Sequence, residues 1–165
     1  MIIDAASERF VQRLLDRHRV MALATVRPDG YPQATIVAFA HDGLTLFVAV
    51  DATSQKARNI RRNGKVSVAI GRDRRDWNTI TGLSMGGTAR VLRKADEIAW
   101  AKSLLTRRFP QMKALGEADD YAGWAFIEIV PLVVSVLDYR KGFGHAELFE
   151  LWPKATKPRR GPRTR

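Results

Sequence analysis

The feature that most constrains this chain is the run from residue 20 to 50, where strand-forming segments follow one another with only turn residues between them. Residues 20–26 and 31–40 are rich in β-branched and small apolar side chains, and they flank Arg27-Pro28-Asp29-Gly30, whose proline and glycine suit a tight turn. His41-Asp42-Gly43 then turns into residues 44–50. No helix fits between these segments, so the pattern predicts a hairpin extended into a three-stranded meander. A parallel α/β sheet, which needs a helical crossover between strands, is excluded for this part of the chain.

The flanking segments fit the same picture. Asp4 or Ser7 caps a first helix in which Phe10, Val11, Leu14 and Leu15 recur at helical spacing, ending near His18. Thr53-Ser54 offers an N-cap for a short basic helix over residues 55–62, with Ala57 and Ile60 as its buried pair and Asn63-Gly64 as a left-handed stop. Val66, Val68 and Ile70 alternate with polar or small residues, and residues 77–81 and 88–92 also favour strand. Residues 96–109 carry Ile98, Ala101, Leu104, Leu105 and Phe109 at helical spacing before Pro110, and a final strand pair, 124–130 and 132–139, is broken at Pro131. Seven or eight strands and three helices without a βα rhythm predict a mainly β (α+β) fold: an antiparallel, Greek-key-type barrel with peripheral helices.

At 165 residues and 45% hydrophobic content the chain suits one domain, 1–152, with a basic tail at 153–165. The absence of cysteine removes disulfides, thiol nucleophiles, thiolate zinc sites and cysteine-ligated clusters. Apolar runs are too short for a membrane span, and Asp4, Glu8 and Arg9 interrupt any leader-like start, so a cytoplasmic location without membrane contact is expected. Six of the eleven net positive charges lie in the tail, on Lys154, Lys157, Arg159, Arg160, Arg163 and Arg165. With nothing to bury, the tail reads as a disordered solvated arm; nucleic acid is its alternative, less favoured partner.

Several catalytic patterns fail on context. Gly82-Leu83-Ser84-Met85-Gly86 matches the G-x-S-x-G elbow, with Asp138 and His145 following in hydrolase order. An elbow needs a helix after its serine, whereas residues 87–92 read as strand. The same glycines lack the lysine of a phosphate loop, and no G-x-G-x-x-G follows a strand. They read instead as a bulged strand where another backbone or a flat ligand comes close. His18, His41 and His145 make no helix-spaced pair, so no metal site is assigned.

The positive signal is Val50-Asp51-Ala52-Thr53-Ser54-Gln55-Lys56-Ala57-Arg58-Asn59. Hydroxyls at a helix start, outward N–H groups and a first-turn lysine together suit a phosphate dianion. An equally simple reading is a capped, solvated basic helix.

The ordered set of pieces resembles the flavin-binding split-barrel family that includes pyridoxamine 5′-phosphate oxidase. It comprises Pro32-Gln33-Ala34-Thr35-Ile36-Val37, Asp42-Gly43, Leu46-Phe47-Val48, Ser54-x-Lys56-x-x-Asn59-Ile60, Asn63-Gly64-Lys65-Val66, Gly87-Thr88-Ala89, Leu137-Asp138-Tyr139 and Gly142-Phe143-Gly144-His145, within residues 20–151. The resemblance implies a split barrel binding FMN, with the phosphate on Ser54, Gln55 and Lys56 and the isoalloxazine along the backbone of Thr35, Ile36, Val37, Ala49 and Val50. A hydroxyl such as Ser84 would tune the ring. It also implies a homodimer with the cofactor at the subunit interface, where Trp124 or the Phe143-Gly144-His145 loop of the other subunit reaches the flavin. Relatives use FMN, deazaflavin F420 or haem, and the last would employ His145. The implied activity is an oxidoreductase passing hydride or electrons between a reduced nicotinamide and a small-molecule substrate. The C-terminal arginine and tryptophan motif of the true oxidases has no counterpart, since Trp152 is followed by Pro153 and the tail, so pyridoxamine phosphate is not assigned as substrate.

Overall fold

The computed structural model describes residues 1–116 and 120–151; the tail and Trp152 lie outside the described residues. Helix α1 (Ala5–Arg17) starts where the Asp4 carboxylate accepts from the Ala6 and Ser7 N–H groups, each at 2.8 Å. Strands β1 (Val20–Val26) and β2 (Pro32–Ala38) form the expected hairpin, paired from Val20↔Ala38 to Val26↔Pro32, with Gly30 at φ 86° in the turn.

The three-stranded meander does not form. The segment expected as one strand over 31–40 divides at Phe39 into β2 and β3 (Ala40–Asp42), and β3 pairs with β4 (Thr45–Asp51), which runs on beside the much later β7 (Trp124–Asp138) rather than beside β2. With β5 (Lys65–Gly71) and β6 (Thr81–Val91), the sheet order is β2-β1-β5-β6-β7-β4-β3, and β8 (Ala146–Glu150) also lies on β7. The two end strands of that order are therefore joined by one residue, the buried Phe39. A chain can step from one sheet edge to the other in a single residue only if the sheet curls until its edges meet, so the topology itself demands a half-closed barrel.

Other departures have local causes. Helix α2 (Gln55–Arg62) has the expected bounds but ends on an extended Asn63 (φ −139°). Gly64 is not left-handed; a Cβ there would lie 2.6 Å from the Ala89 carbonyl oxygen, so close strand approach explains the glycine. Residues 77–79 form a 3-10 turn instead of strand, capped by Asp76, between β5 (Lys65–Gly71) and β6 (Thr81–Val91). The break expected at Pro131 is absent. β7 passes through it because Pro131 lies opposite Gly87, where the β6–β7 register shifts between Gly86 and Gly87 and the ladder has no use for its missing N–H. Helix α3 (Ala95–Arg108), the short α4 (Met112–Gly116), a 3-10 turn at Tyr139–Lys141 and β8 complete the described chain; α4 and β8 carried no sequence signal.

Two apolar clusters hold the fold. The concave face of the sheet closes on α1 and α2 through residues such as Leu15, Leu23, Val48, Ala57 and Ile127. On the other face of β4 and β7, Phe47 and Phe126 pack with Leu104, Leu105 and Phe109 beneath α3. Burial on both faces explains why Leu46-Phe47-Val48 and residues 125–129 are continuous apolar runs interrupted only by Glu128. Glu128 is paired with Arg90 at 2.6 Å. Among the described residues no helix is long and apolar enough to cross a membrane.

Candidate functional site

The β4–α2 junction is shaped by its own polar side chains. The Asp51 carboxylate accepts from the Thr53 hydroxyl and N–H, both at 2.6 Å, which holds its carboxyl below the usual carboxylate range. Ser54 is extended (φ −61°, ψ 150°) and its Oγ accepts from the Ala57 N–H at 3.4 Å. The N–H groups of Gln55 and Lys56 stand at the helix start, where no intrahelical acceptor exists, and the first turn contains no acid. Arg58 donates to the Thr53 carbonyl and, at 2.8 Å, to Gln55 Oε1, while Arg61 donates to the Ala52 carbonyl at 2.7 Å. These arginines are thus spent on holding the turn. Lys56 supplies the first-turn charge, and the helix dipole adds to it, an arrangement that favours negative charge at the helix start.

Inside the barrel a chain of amides leads away from this turn. Gln55 Nε2 donates to Asn59 Oδ1 at 2.7 Å, and Asn59 Nδ2 donates to Thr25 Oγ1 at 3.0 Å and Gln33 Oε1 at 3.2 Å. Thr35, two residues beyond Gln33 on the same face of β2, has its Oγ1 shielded from solvent without a partner. In the sequence Asn59 and Gln33 are only letters of a motif; no local signal shows that they meet.

The other expected residues fall into separate groups. Thr35 and Val37 face inward on β2 and Val50 faces the main core, whereas Ile36 points outward and is 68% exposed. Ala49 and Trp124 pack on the α3 side. Trp124 is directly opposite Asp51 in the β4–β7 ladder, edge-on to Tyr121 at 5.5 Å, so it stands beside the junction of the same chain. His145 does not. The Asp138 N–H donates to the His145 carbonyl at the far end of β7, and His145 Nε2 is 2.8 Å from Glu147 Oε1. With 15 residues at roughly 3.3 Å each, β7 keeps His145 and the α2 start at opposite ends of the chain's fold.

Ser84 lies mid-strand between Ala69 and Ser135, so the elbow is absent, as its strand-like sequel required. Asp138 is held by Arg140 through two bonds of 2.7 Å, which lowers its carboxyl below the usual range. Neither it nor His145 is turned toward Ser84. A cavity of about 280 Å³ at this end is lined by Ser7, Phe10, Asp138, Arg140, Lys141 and Glu147, but its charges are already paired, Lys141 with Glu147 at 2.6 Å. It offers an anion less than the α2 start does.

Ser84 also belongs to a register row that crosses six strands: Ile36, Ala22, Ala69, Ser84, Ser135 and Leu148. This convex face is small or aliphatic, and Val20, Ile36, Val133 and Leu148 are all exposed on it.

The family model of pyridoxamine 5′-phosphate oxidase matches residues 7–131. General stress protein 26 of Bacillus subtilis (strain 168) is 38% identical over 60 residues, 36% of this chain and 42% of that protein. In fold, the chain is similar to a heme binding protein from Mycobacterium smegmatis, with TM-score 0.75 and 18% identity over 90% of this chain and 60% of that one. It is also similar to a Clostridium acetobutylicum protein related to general stress protein 26, with TM-score 0.67 and 18% identity over 90% and 96% of the two chains. The chain therefore spans less than two thirds of the first two of these relatives.

Proposed function

Because the chain belongs to the pyridoxamine 5′-phosphate oxidase family, we propose that it binds flavin mononucleotide and acts as an oxidoreductase between a reduced nicotinamide and a small-molecule acceptor. The observation that carries this reading is the acid-free start of α2, where Ser54, two free N–H groups and Lys56 meet in a turn held by Arg58 and Arg61. A flavin phosphate suits that site. The residues toward the ring fit as well: the solvent-shielded Thr35 Oγ1 lacks a partner on the strand whose backbone the ring would follow, and Ala49 and Val50 lead from β4 into the phosphate turn.

When bound, the flavin supplies the hydride and electron chemistry. The chain's part is to hold the phosphate through Ser54, Gln55 and Lys56, to orient the ring along Thr35, Ile36 and Val37, and to exclude water. We place a second copy on the convex face, where the small side chains of Ala22, Ala69 and Ser84 admit a close-packed sheet, and Ile36 and Leu148 lose exposed apolar surface. The Phe143-Gly144-His145 loop meets a flavin only across such a dimer, since its own subunit holds it at the far end of β7.

A haem site using His145 is the second reading, favoured by the similarity in fold to a heme binding protein. Against it, His145 Nε2 already faces Glu147. The test is the absorbance spectrum of the purified protein followed by thermal-shift titration with FMN, F420 and haem. Flavin bands, or a stabilising shift with FMN alone, support the proposal. A Soret band lost in His145→Ala moves the assignment to haem, and a shift with F420 alone moves it to the deazaflavin.

A further inference from the structure

The interior amide chain has a property that core packing alone does not require. Asn59 is fully buried and Thr25 is 1% exposed, two of only four polar or charged residues buried among the described residues. An apolar residue of similar size would fill that space without the cost of desolvating an amide. What an amide adds is direction. Both Nδ2 protons are used, one on each strand of the β1–β2 hairpin, at Thr25 and Gln33, which are directly opposite in the ladder. The Oδ1 is used on Gln55, in the first turn of α2. Gln55 in turn receives Arg58, whose other branch holds the Thr53 carbonyl. A continuous line of hydrogen bonds thus runs from the turn that precedes Ser54, through Asn59, to β2 two residues from Thr35.

We propose that Asn59 is a positioning residue that sets the spacing between the phosphate-holding turn of α2 and the ring-facing strand β2. This rests on the flavin reading given above. Ser54 to Lys56 would take one end of the ligand and Thr35 to Val37 the other, so the ligand behaves as a bivalent one. Its advantage over either end alone depends on the two half-sites standing at the right separation. Asn59 touches neither half of the ligand; it fixes where the halves are.

The test compares FMN with riboflavin, which lacks the phosphate, by fluorescence titration of the full-length protein. The expected result is that wild type favours FMN strongly and that Asn59→Leu reduces the FMN-to-riboflavin affinity ratio by about tenfold or more, leaving riboflavin binding within about threefold. Gln33→Leu cuts only the strand end of the chain at a half-buried position, and it is expected to lower the same ratio by a smaller factor. It decides the matter if Asn59→Leu does not fold. An unchanged ratio in folded variants overturns the assignment. So does an equal loss for both ligands, which marks a merely structural role. If wild type binds neither compound, the flavin reading falls and this assignment falls with it.

Discussion

Two adjacent glycines in β6 should respond unequally to the same substitution. A Cβ on Gly87 would lie 2.3 Å from the Val130 carbonyl oxygen and 2.8 Å from Pro131 Cα, both backbone atoms of the neighbouring strand. The first contact is about 1 Å inside the ~3.3–3.6 Å at which carbon meets a carbonyl oxygen. No rotamer relieves it, so β6 and β7 must part at the bulge. Overpacking of this kind costs about 1–3 kcal/mol, and a weakened ladder bond adds about 1. Replacing glycine returns about 0.4–1 kcal/mol through the unfolded chain. Gly87→Ala is therefore expected to lose about 1–3.6 kcal/mol, a fall in Tm of roughly 2–14 °C for a chain of this length. A Cβ on Gly86 would meet only Val133 Cγ2, at 3.1 Å, and that side chain can rotate. Its substitution is expected to stay within about 1 kcal/mol. Urea denaturation followed by circular dichroism, at one protein concentration and with equal m values, reads both. Equal losses at the two positions, or a neutral Gly87→Ala, would refute the bulge placed between them.

The remaining expectations concern the anion site, an acid-sensitive pair and the convex face. Lys56→Met should weaken FMN binding by about 10–100-fold, the loss of one charge-assisted contact, and leave riboflavin nearly untouched; equal losses in a fluorescence titration would remove Lys56 from the phosphate site. The hydrogen bonds from Arg140 hold the Asp138 carboxyl below its ordinary value of 3.8, so the pairing stabilises fully above that value and fades as pH falls through the lower, folded one. Asp138→Asn should thus cost about 1 kcal/mol at pH 7, Arg140 being half-exposed, with the gap to wild type closing below pH 4; a gap unchanged by acid would show that the pair is not its source. Ala69→Arg, in the middle of the exposed row, should yield a folded monomer by sedimentation, and a persisting dimer would put the interface elsewhere.

Much of the fold was legible because it is written locally. The Asp4 cap, the β1–β2 turn and both bounds of α2 depend on residues within a few positions of one another, and each appears where the sequence places it. The Ser54 to Lys56 turn was legible for the same reason: capping hydroxyl, free N–H groups and first-turn lysine are consecutive. Errors arose where a residue's role is set by a distant segment. Gly64 reads as a helix stop until Ala89 is seen against it, and Pro131 reads as a break until Gly87 is seen opposite. Asn59 reads as one polar position on a basic helix until Thr25 and Gln33 close around its amide.

By itself the sequence determined most of the strand and helix segments, where most turns fall, that no thiol chemistry is available, and that a hydroxyl, unpaired N–H groups and a lysine gather at the start of α2. Only the tertiary structure decided which strands are neighbours. Every strand offers the same row of N–H and C=O groups, so local chemistry does not tell β2 whether to pair with β4; the demand to bury both faces of β4 and β7 does. That choice curls the sheet until its edges meet at Phe39 and sets the α2 turn beside Trp124. It leaves His145 at the other end of the molecule.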